Sequence, residues 1–191
     1  PNSRGIVRER VFTQNSFYRA MDEIRVVYDV LNRDRFSSGL MIDVGAHYGS
    51  SLHPFANQGW TIHAFEPDDE NRKRLEDRYS SAPNVVIDNR AVSDVEQEHV
   101  SFYRSKVSSG ISGLSDFHSS HERTGTVDTI TLREYVEKQK ITRVDFLKVD
   151  TEGHDLMVLK SVPWESAQPS VAVCEFENAK SEGYGYKFRD L

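Results

Sequence analysis

The stretch Leu40-Met41-Ile42-Asp43-Val44-Gly45-Ala46-His47-Tyr48-Gly49-Ser50 decides how this chain is read. A short apolar run with the look of a buried strand ends on a carboxylate and then breaks on two glycines. The spacing predicts a strand, a tight turn and a helix over Tyr48 to Gln58, ended by Gly59. Gly45 and Gly49 let the backbone turn sharply and let a ligand approach the main chain. The helix that follows is expected to turn its free N–H groups toward that ligand.

Working outward, Trp60-Thr61-Ile62-His63-Ala64-Phe65 is strand-like, and Glu66 follows it, 21 residues after Gly45. A carboxylate at that place can accept two hydrogen bonds from a ribose diol. A nucleoside site follows from the pair, but a dinucleotide site does not. The dinucleotide fingerprint needs G-x-G-x-x-G, and His47 and Ser50 stand where two of its glycines would be. Asp43 would also repel a pyrophosphate. It suits a ligand with a positive end, such as the amino group of S-adenosylmethionine.

The rhythm of the rest predicts the layers. Phe17, Met21, Ile24, Val27, Tyr28 and Leu31 share one face of a helix over Ser16 to Arg35, with Asn15 or Ser16 as its cap. Asp68 to Tyr79 reads as an exposed helix opened by acids, Val85-Val86-Ile87 as a strand, and the alternation around Val100 and Phe102 as another. Thr131-Leu132-Arg133-Glu134 is a capping box that starts a helix running to about Lys140. Val144 to Val149 and Val171 to Phe176 read as strands, with a helix over His154 to Lys160 between them. Strands alternating with helices predict βαβ units and a mostly parallel sheet. Residues 105–125 stand apart, crowded with serine and glycine, and are expected to form a mobile loop or lid.

The chain has 191 residues, with Lys+Arg 24 against Asp+Glu 30 and a net charge of −6. One domain fits that length. The acidity argues against a nucleic-acid partner, which calls for a basic surface. Cys174 is the single cysteine, so an intrachain disulfide and a cysteine-built zinc site are excluded, and a reducing, cytoplasmic setting is expected. No apolar run approaches the ~20 residues of a membrane span. Pro1 to Arg10 has no signal-peptide core.

Two further clusters carry chemistry. Phe146-Leu147-Lys148-Val149-Asp150-Thr151-Glu152-Gly153-His154-Asp155 places three carboxylates and a histidine just past a strand, the edge where open α/β sheets bind ligands. His154 is the first candidate for the base that removes an acceptor's proton, with its basicity expected to be raised by Asp150, Glu152 and Asp155. His118 and His121, in the serine-rich stretch, are the next candidates. Asp150 could hold the methionine portion of the cofactor, or a water or metal. Glu175-Phe176-Glu177-Asn178 ends the next strand, so Asp150, Glu177 and Asn178 form a weak candidate Mg²⁺ site.

The sequence resembles the FkbM family of class I S-adenosylmethionine-dependent methyltransferases. The matching residues are Ile42 to Gly49, Phe65-Glu66-Pro67, Asn89 to Asp94, Thr131-Leu132 and, as the most specific mark, Phe146 to Asp155. The resemblance covers about residues 40 to 178. It implies a Rossmann-like three-layer α/β sandwich whose sheet runs 3-2-1-4-5-7-6, and O-methylation of a hydroxyl on a sugar, a glycan or glycolipid, or a natural product. Carried over by position, Asp43, Gly45 and Gly49 line the methionine side, Glu66 grips the ribose, and Asp88 or Asn89 faces the adenine. Ala46, His47, Ser50, Pro67 and Asp150 complete the expected cofactor-binding set.

On this reading residues 1–38 are an N-terminal helical segment and 39–191 the cofactor-binding domain, with 105–125 covering a small-molecule or glycan acceptor. After Phe176 only 15 residues remain, fewer than the last two family strands need, so those strands are expected to be missing. A sheet edge left bare there would invite pairing with a second copy. Two other classes are weighed against the methyltransferase: a nicotinamide-dependent oxidoreductase and a cofactor-binding module without catalysis.

Overall fold

The computed structural model describes residues 23–33, 38–116, 118–181 and 184–191. Five strands form its central sheet: β1 (Leu40–Val44), β2 (Thr61–Phe65), β3 (Val85–Asp88), β8 (Phe146–Val149) and β9 (Val171–Cys174). Their order is β3-β2-β1-β8-β9 and every pairing is parallel. This matches the first five strands of the order that the resemblance implied, and no strand follows β9 among the described residues. The chain winds outward from β1 to β3, then restarts beside β1 at β8. The order therefore reverses between β1 and β8, the point at which such sheets bind their ligands.

Alternation along the strands builds two cores, because successive side chains point to opposite faces. Ile42, Val44, Phe65, Leu147 and Val149 face one layer, where α4 (Leu132–Lys138) and α5 (Asp155–Ser161) contribute Tyr135, Val136 and Val158. Met41, Ile62, Ala64 and Phe146 face the other, covered by α1 (Glu23–Arg33), α2 (His53–Ala56) and α3 (Asp69–Tyr79). The result is the expected three-layer sandwich. Of the helix expected over Ser16 to Arg35, the described residues show Glu23–Arg33, with Val27 and Leu31 buried. Phe17, Met21 and the proposed caps lie outside the described residues. No helix among the described residues is long and apolar enough to cross a membrane.

Local chemistry sets two helix starts, that of α4 as expected. Thr131 caps α4 by accepting the Glu134 N–H at 3.1 Å. Asp68 caps α3, its Oδ1 accepting the N–H groups of Glu70 and Asn71 at 3.0 Å each.

Two expectations need correction. The helix over Tyr48 to Gln58 is reduced to α2, and the residues before it run as consecutive turns. Gly49 sits at φ +73°, outside helical space, and Pro54 fits only a first helical turn. The helix N-terminus expected directly after the glycine turn is displaced to His53. The turn's own N–H groups are used by β2: Gly45 and Ala46 donate to the Phe65 carbonyl at 3.1 and 3.0 Å.

Residues 105–125 are likewise not an open loop. β5 (Val100–Ser105) and β6 (His121–Val127) form an antiparallel ribbon, with a 3-10 turn at Ser109–Ile111 between them. A parallel pair, β4 (Ala91–Val92) with β7 (Thr129–Ile130), ties the ribbon's base beside α5.

The glycines also serve the packing of the fold. A Cβ on Gly45, at φ +80°, would lie 1.9 Å from the Asp150 carbonyl oxygen. One on Gly49 would lie 2.5 Å from both Leu75 and Tyr79. These glycines admit neighbouring parts of the fold itself.

The β1–β8 register also sets Asp43 directly beside Lys148 on the same face. Asp43 is 0% exposed. Lys148 Nζ lies 3.3 Å from Asp43 Oδ1 and 3.3 Å from Asp150 Oδ2. Ser51 donates a second hydrogen bond to Asp43.

Two outcomes follow for urea unfolding. Gly45→Ala forces the β1 and β8 ends apart and costs about 3–5 kcal/mol; an unchanged midpoint would show that the two ends are not in contact. Lys148→Met strands the buried Asp43 carboxylate and costs about 3–5 kcal/mol, while adding Asp43→Asn recovers much of that loss. A double variant no more stable than Lys148→Met would refute the pairing.

Candidate active site

A cavity opens at the C-terminal ends of β1, β2 and β8. Val44, Gly45 and His47 line it from β1 and its turn, and Phe65, Glu66 and Pro67 from β2. Asp150, Thr151, Glu152 and His154 enter from β8 and the loop after it, and Ala91 and Val92 from β4. Phe102, Ser109, Gly110, Ser112, Gly113 and Leu114 close it from the ribbon side.

Glu66 stands at the β2 tip because the strand ends there and its side chain turns inward. It is buried, and its Oε2 accepts the His47 N–H at 2.7 Å while Oε1 accepts the Asp68 N–H at 2.9 Å. Each oxygen keeps a further lone pair. Burial raises its pKa to about 7, against the pull of these two N–H donors.

The sequence reading passed over Lys148, which contacts the cavity residues Gly45 and Asp150. Its ammonium lies 3.4 Å from the Gly45 carbonyl as well as between the two aspartates. Burial works against its charge, but Asp43 and Asp150 outweigh burial and hold the ammonium firmly protonated. Asp43 is pushed up by burial and pulled back by Lys148 and Ser51. Burial opposes the charge of Asp150 too, but Lys148 holds that carboxyl below its usual range. A lysine inside an otherwise apolar strand, flanked by carboxylates one strand away and two residues on, was the available signal.

The candidate cation site already holds an ammonium among its acids. Asp150, Glu152 and Glu175 bring one ligand atom each within 4.8 Å of the others. Lys180 Nζ approaches Glu152 at 2.7 Å, Glu175 at 3.0 Å and Glu177 at 3.3 Å. Of the expected trio, Asp150 belongs to this cluster and Glu177 pairs with Lys180 at its rim. The Asn178 side chain lies outside the described residues. Burial raises Glu152 to about 7 despite Lys180.

His154 lines the cavity and is buried, with Nε2 2.9 Å from Ser93 Oγ. The expected rise in its basicity is reversed. Burial lowers its pKa to about 4, with Asp94 opposing. Asp155 does not face the ring. Its carboxylate accepts the N–H groups of Thr151 and Gly153 at 3.0 Å each, and Glu152 is bound by Lys180.

His118 and His121 sit on the ribbon, off the cavity lining. His118 Nδ1 contacts Ser120 Oγ at 2.7 Å, and His121 Nε2 contacts the Ile111 carbonyl.

The other expected cofactor residues divide by place. Gly45, His47, Glu66, Pro67 and Asp150 line the cavity. Asp43, Ala46, Gly49 and Ser50 lie behind the turn, with Asp43 and Ala46 buried. Asp88 is held by Arg90 at 2.6 Å and lines a separate surface groove with Asn89, Arg72 and Glu76.

The ribbon is fixed over the cavity at two points. Arg104 bonds Asp68 at 2.6 Å and Glu70 at 3.0 Å, and also pairs with Asp69. Ser109 Oγ meets Tyr48 OH at 2.7 Å and His47 Nε2 at 3.1 Å, while Asn71 donates to the Ser109 carbonyl at 3.1 Å. The acids at the start of α3 thus serve the ribbon as well as the helix dipole. Sequence spacing could not reveal a partner 34 to 36 residues away.

Comparison with known proteins agrees with this arrangement. The family model for the methyltransferase FkbM domain matches residues 43–191. A hexuronic acid methyltransferase, AglP, of Haloferax volcanii is 28% identical over 141 residues, covering 74% of this chain and 55% of that protein. The chain thus spans about half the length of this relative. A solved structure of coclaurine N-methyltransferase, bound to N-methylheliamine and SAH, overlaps 83% of this chain and 37% of its own. The identity is 14% and the TM-score 0.38, a likeness too slight to support any inference. With a family match over most of its length, and the cavity at the sheet's reversal point, this chain belongs to the FkbM methyltransferase domain family.

Proposed function

We infer that the chain is an S-adenosylmethionine-dependent O-methyltransferase domain acting on a hydroxyl of a sugar, glycan or glycolipid, or natural product. Glu66 carries the reading: a buried carboxylate on the cavity wall, already fixed by two backbone donors and keeping lone pairs for a ribose diol. The residues fit the cofactor. Asp150, with its charge secured by Lys148, is placed for the methionine ammonium. Phe65, Pro67 and Val92 offer an apolar wall for the base. When bound, the cofactor supplies an electrophilic methyl group on a sulfonium.

The rest falls to the chain. Residues 39–191 bind, the segment over 1–38 precedes them, and the ribbon over 105–125 covers the acceptor side and excludes water. His154 takes the acceptor's proton. Mg²⁺ is not part of this reading, because Lys180 already supplies the positive charge among Glu152, Glu175 and Glu177. A nicotinamide cofactor is disfavoured by His47, which takes a φ of 52° at a fingerprint glycine position. The single cysteine supports a reducing, cytoplasmic setting. The name of the Haloferax relative supports a sugar acceptor.

The low pKa of His154 favours a second reading, in which the acceptor is a sugar carboxylate. A carboxylate arrives ionised and needs no base. His154→Ala separates the two. Methyl transfer from tritiated cofactor should fall about 10²–10⁴-fold for a hydroxyl acceptor, and EDTA should leave it unchanged. Unchanged turnover in His154→Ala would reject the histidine base and favour the carboxylate.

Cofactor binding should depend on pH through Glu66. A ribose diol donates to the ionised carboxylate, so S-adenosylhomocysteine affinity should fall as pH drops below about 7, approaching tenfold per unit. The free protein behaves oppositely. Because the folded pKa is raised, the contribution of Glu66 to stability is fully present below the ordinary carboxylate pKa and is lost as pH rises through about 7. Glu66→Gln should weaken binding by about 1.5–3 kcal/mol and flatten the profile. Calorimetric titration checks both, with NAD giving no heat. A pH-independent affinity in the wild type would remove Glu66 from the ribose.

A further inference from the structure

A histidine base has two ring nitrogens, and which of them is basic depends on what holds the other. Two residues just past β4 decide this for His154. Ser93 is buried, and its backbone N–H donates to the Ile130 carbonyl on β7 at 3.0 Å, which fixes its position. Its hydroxyl lies 3.2 Å from Asp94 Oδ1 and 2.9 Å from His154 Nε2. A serine hydroxyl has one proton to give, and an ionised carboxylate can only accept. For both contacts to be hydrogen bonds, Ser93 must donate to Asp94 and accept from His154. The nitrogen facing Ser93 therefore carries the ring proton.

The other nitrogen is left bare. Nδ1 is buried and has no hydrogen-bond partner among the described residues. The Tyr184 ring packs edge-on against the imidazole, with centroids 5.1 Å apart, and limits its rotation. A buried nitrogen without a partner is costly, and this one belongs to a residue that lines the cavity.

We propose that Asp94 and Ser93 form a positioning relay that locks His154 in its Nε2–H form and reserves Nδ1 to receive the acceptor's proton. The proposal rests on the hydroxyl-methylation reading given above. In the step assigned to the chain, the acceptor's O–H proton passes to Nδ1 and the electron pair of that bond stays on oxygen. The imidazolium so formed donates through Nε2–H to Ser93, whose hydroxyl donates to the Asp94 carboxylate. The negative charge at the end of the relay stabilises the positive ring. Neither Ser93 nor Asp94 touches the acceptor. Their effect runs through the orientation and tautomer of His154.

Nitrogen NMR of the full chain labelled with ¹⁵N-histidine tests this without an acceptor. Signals of His154 are assigned by their loss in His154→Gln. Near neutral pH the wild type should show a protonated Nε2 and a bare Nδ1. Ser93→Ala and Asp94→Asn should lose this single-tautomer signature and show averaged shifts, with S-adenosylhomocysteine affinity unchanged as proof of folding. Asp94 is exposed, so its variant remains informative if Ser93→Ala does not fold. A protonated Nδ1 in the wild type, or a tautomer that persists in Asp94→Asn, would overturn the relay. Failure of the methyltransferase reading would appear separately, as absence of S-adenosylhomocysteine binding.

Discussion

The site depends on one ammonium placed inside the sheet. Parallel central strands are normally apolar throughout, because both faces are covered. Lys148 breaks that rule at the register position beside Asp43, and its charge is also shared with Asp150 and the Gly45 carbonyl. Removing two charges from water is expensive, and the return comes only with close pairing and further hydrogen bonds. Ser51 and the second carboxylate supply them. The same contacts join the end of β1 to the end of β8, where the sheet order reverses and the cavity forms.

That join explains the glycines. Gly45 has no side chain because the Asp150 carbonyl occupies the space, and Gly49 has none because α3 packs there through Leu75 and Tyr79. With the turn so compressed, its N–H groups fall to Phe65 and Glu66. Glu66 is thereby fixed before any ligand arrives. The ribbon completes the enclosure. Arg104 fastens it to the acids opening α3, and Ser109 fastens its tip to His47, Tyr48 and Asn71. Several of these contacts are charged or hydroxyl pairs near the surface, individually weak.

Much of this was legible in the sequence. The alternation of apolar runs with helical spacing gave the parallel sheet, and Thr131 and Asp68 marked helix starts through local hydrogen bonding alone. Glu66 was found by its distance from the glycine turn. What escaped depended on contacts between distant segments. The ribbon was hidden because His121 to Val127 holds polar residues and a glycine rather than an apolar alternation. The lowered basicity of His154 was missed because its acidic neighbours in sequence turn to backbone N–H groups and to Lys180 instead of to the ring. Arg104 could not be matched to Asp68, Asp69 and Glu70, nor Lys180 to Glu152, without the fold.

The central claim is that the cavity at the β1–β8 reversal holds the cofactor with its ribose on Glu66. A crystal structure of the protein soaked with S-adenosylhomocysteine tests it most directly. The account predicts both ribose hydroxyls within hydrogen-bond distance of the Glu66 carboxylate and the methionine ammonium beside Asp150. A ligand bound in this cavity with its ribose away from Glu66, or bound elsewhere, would contradict it.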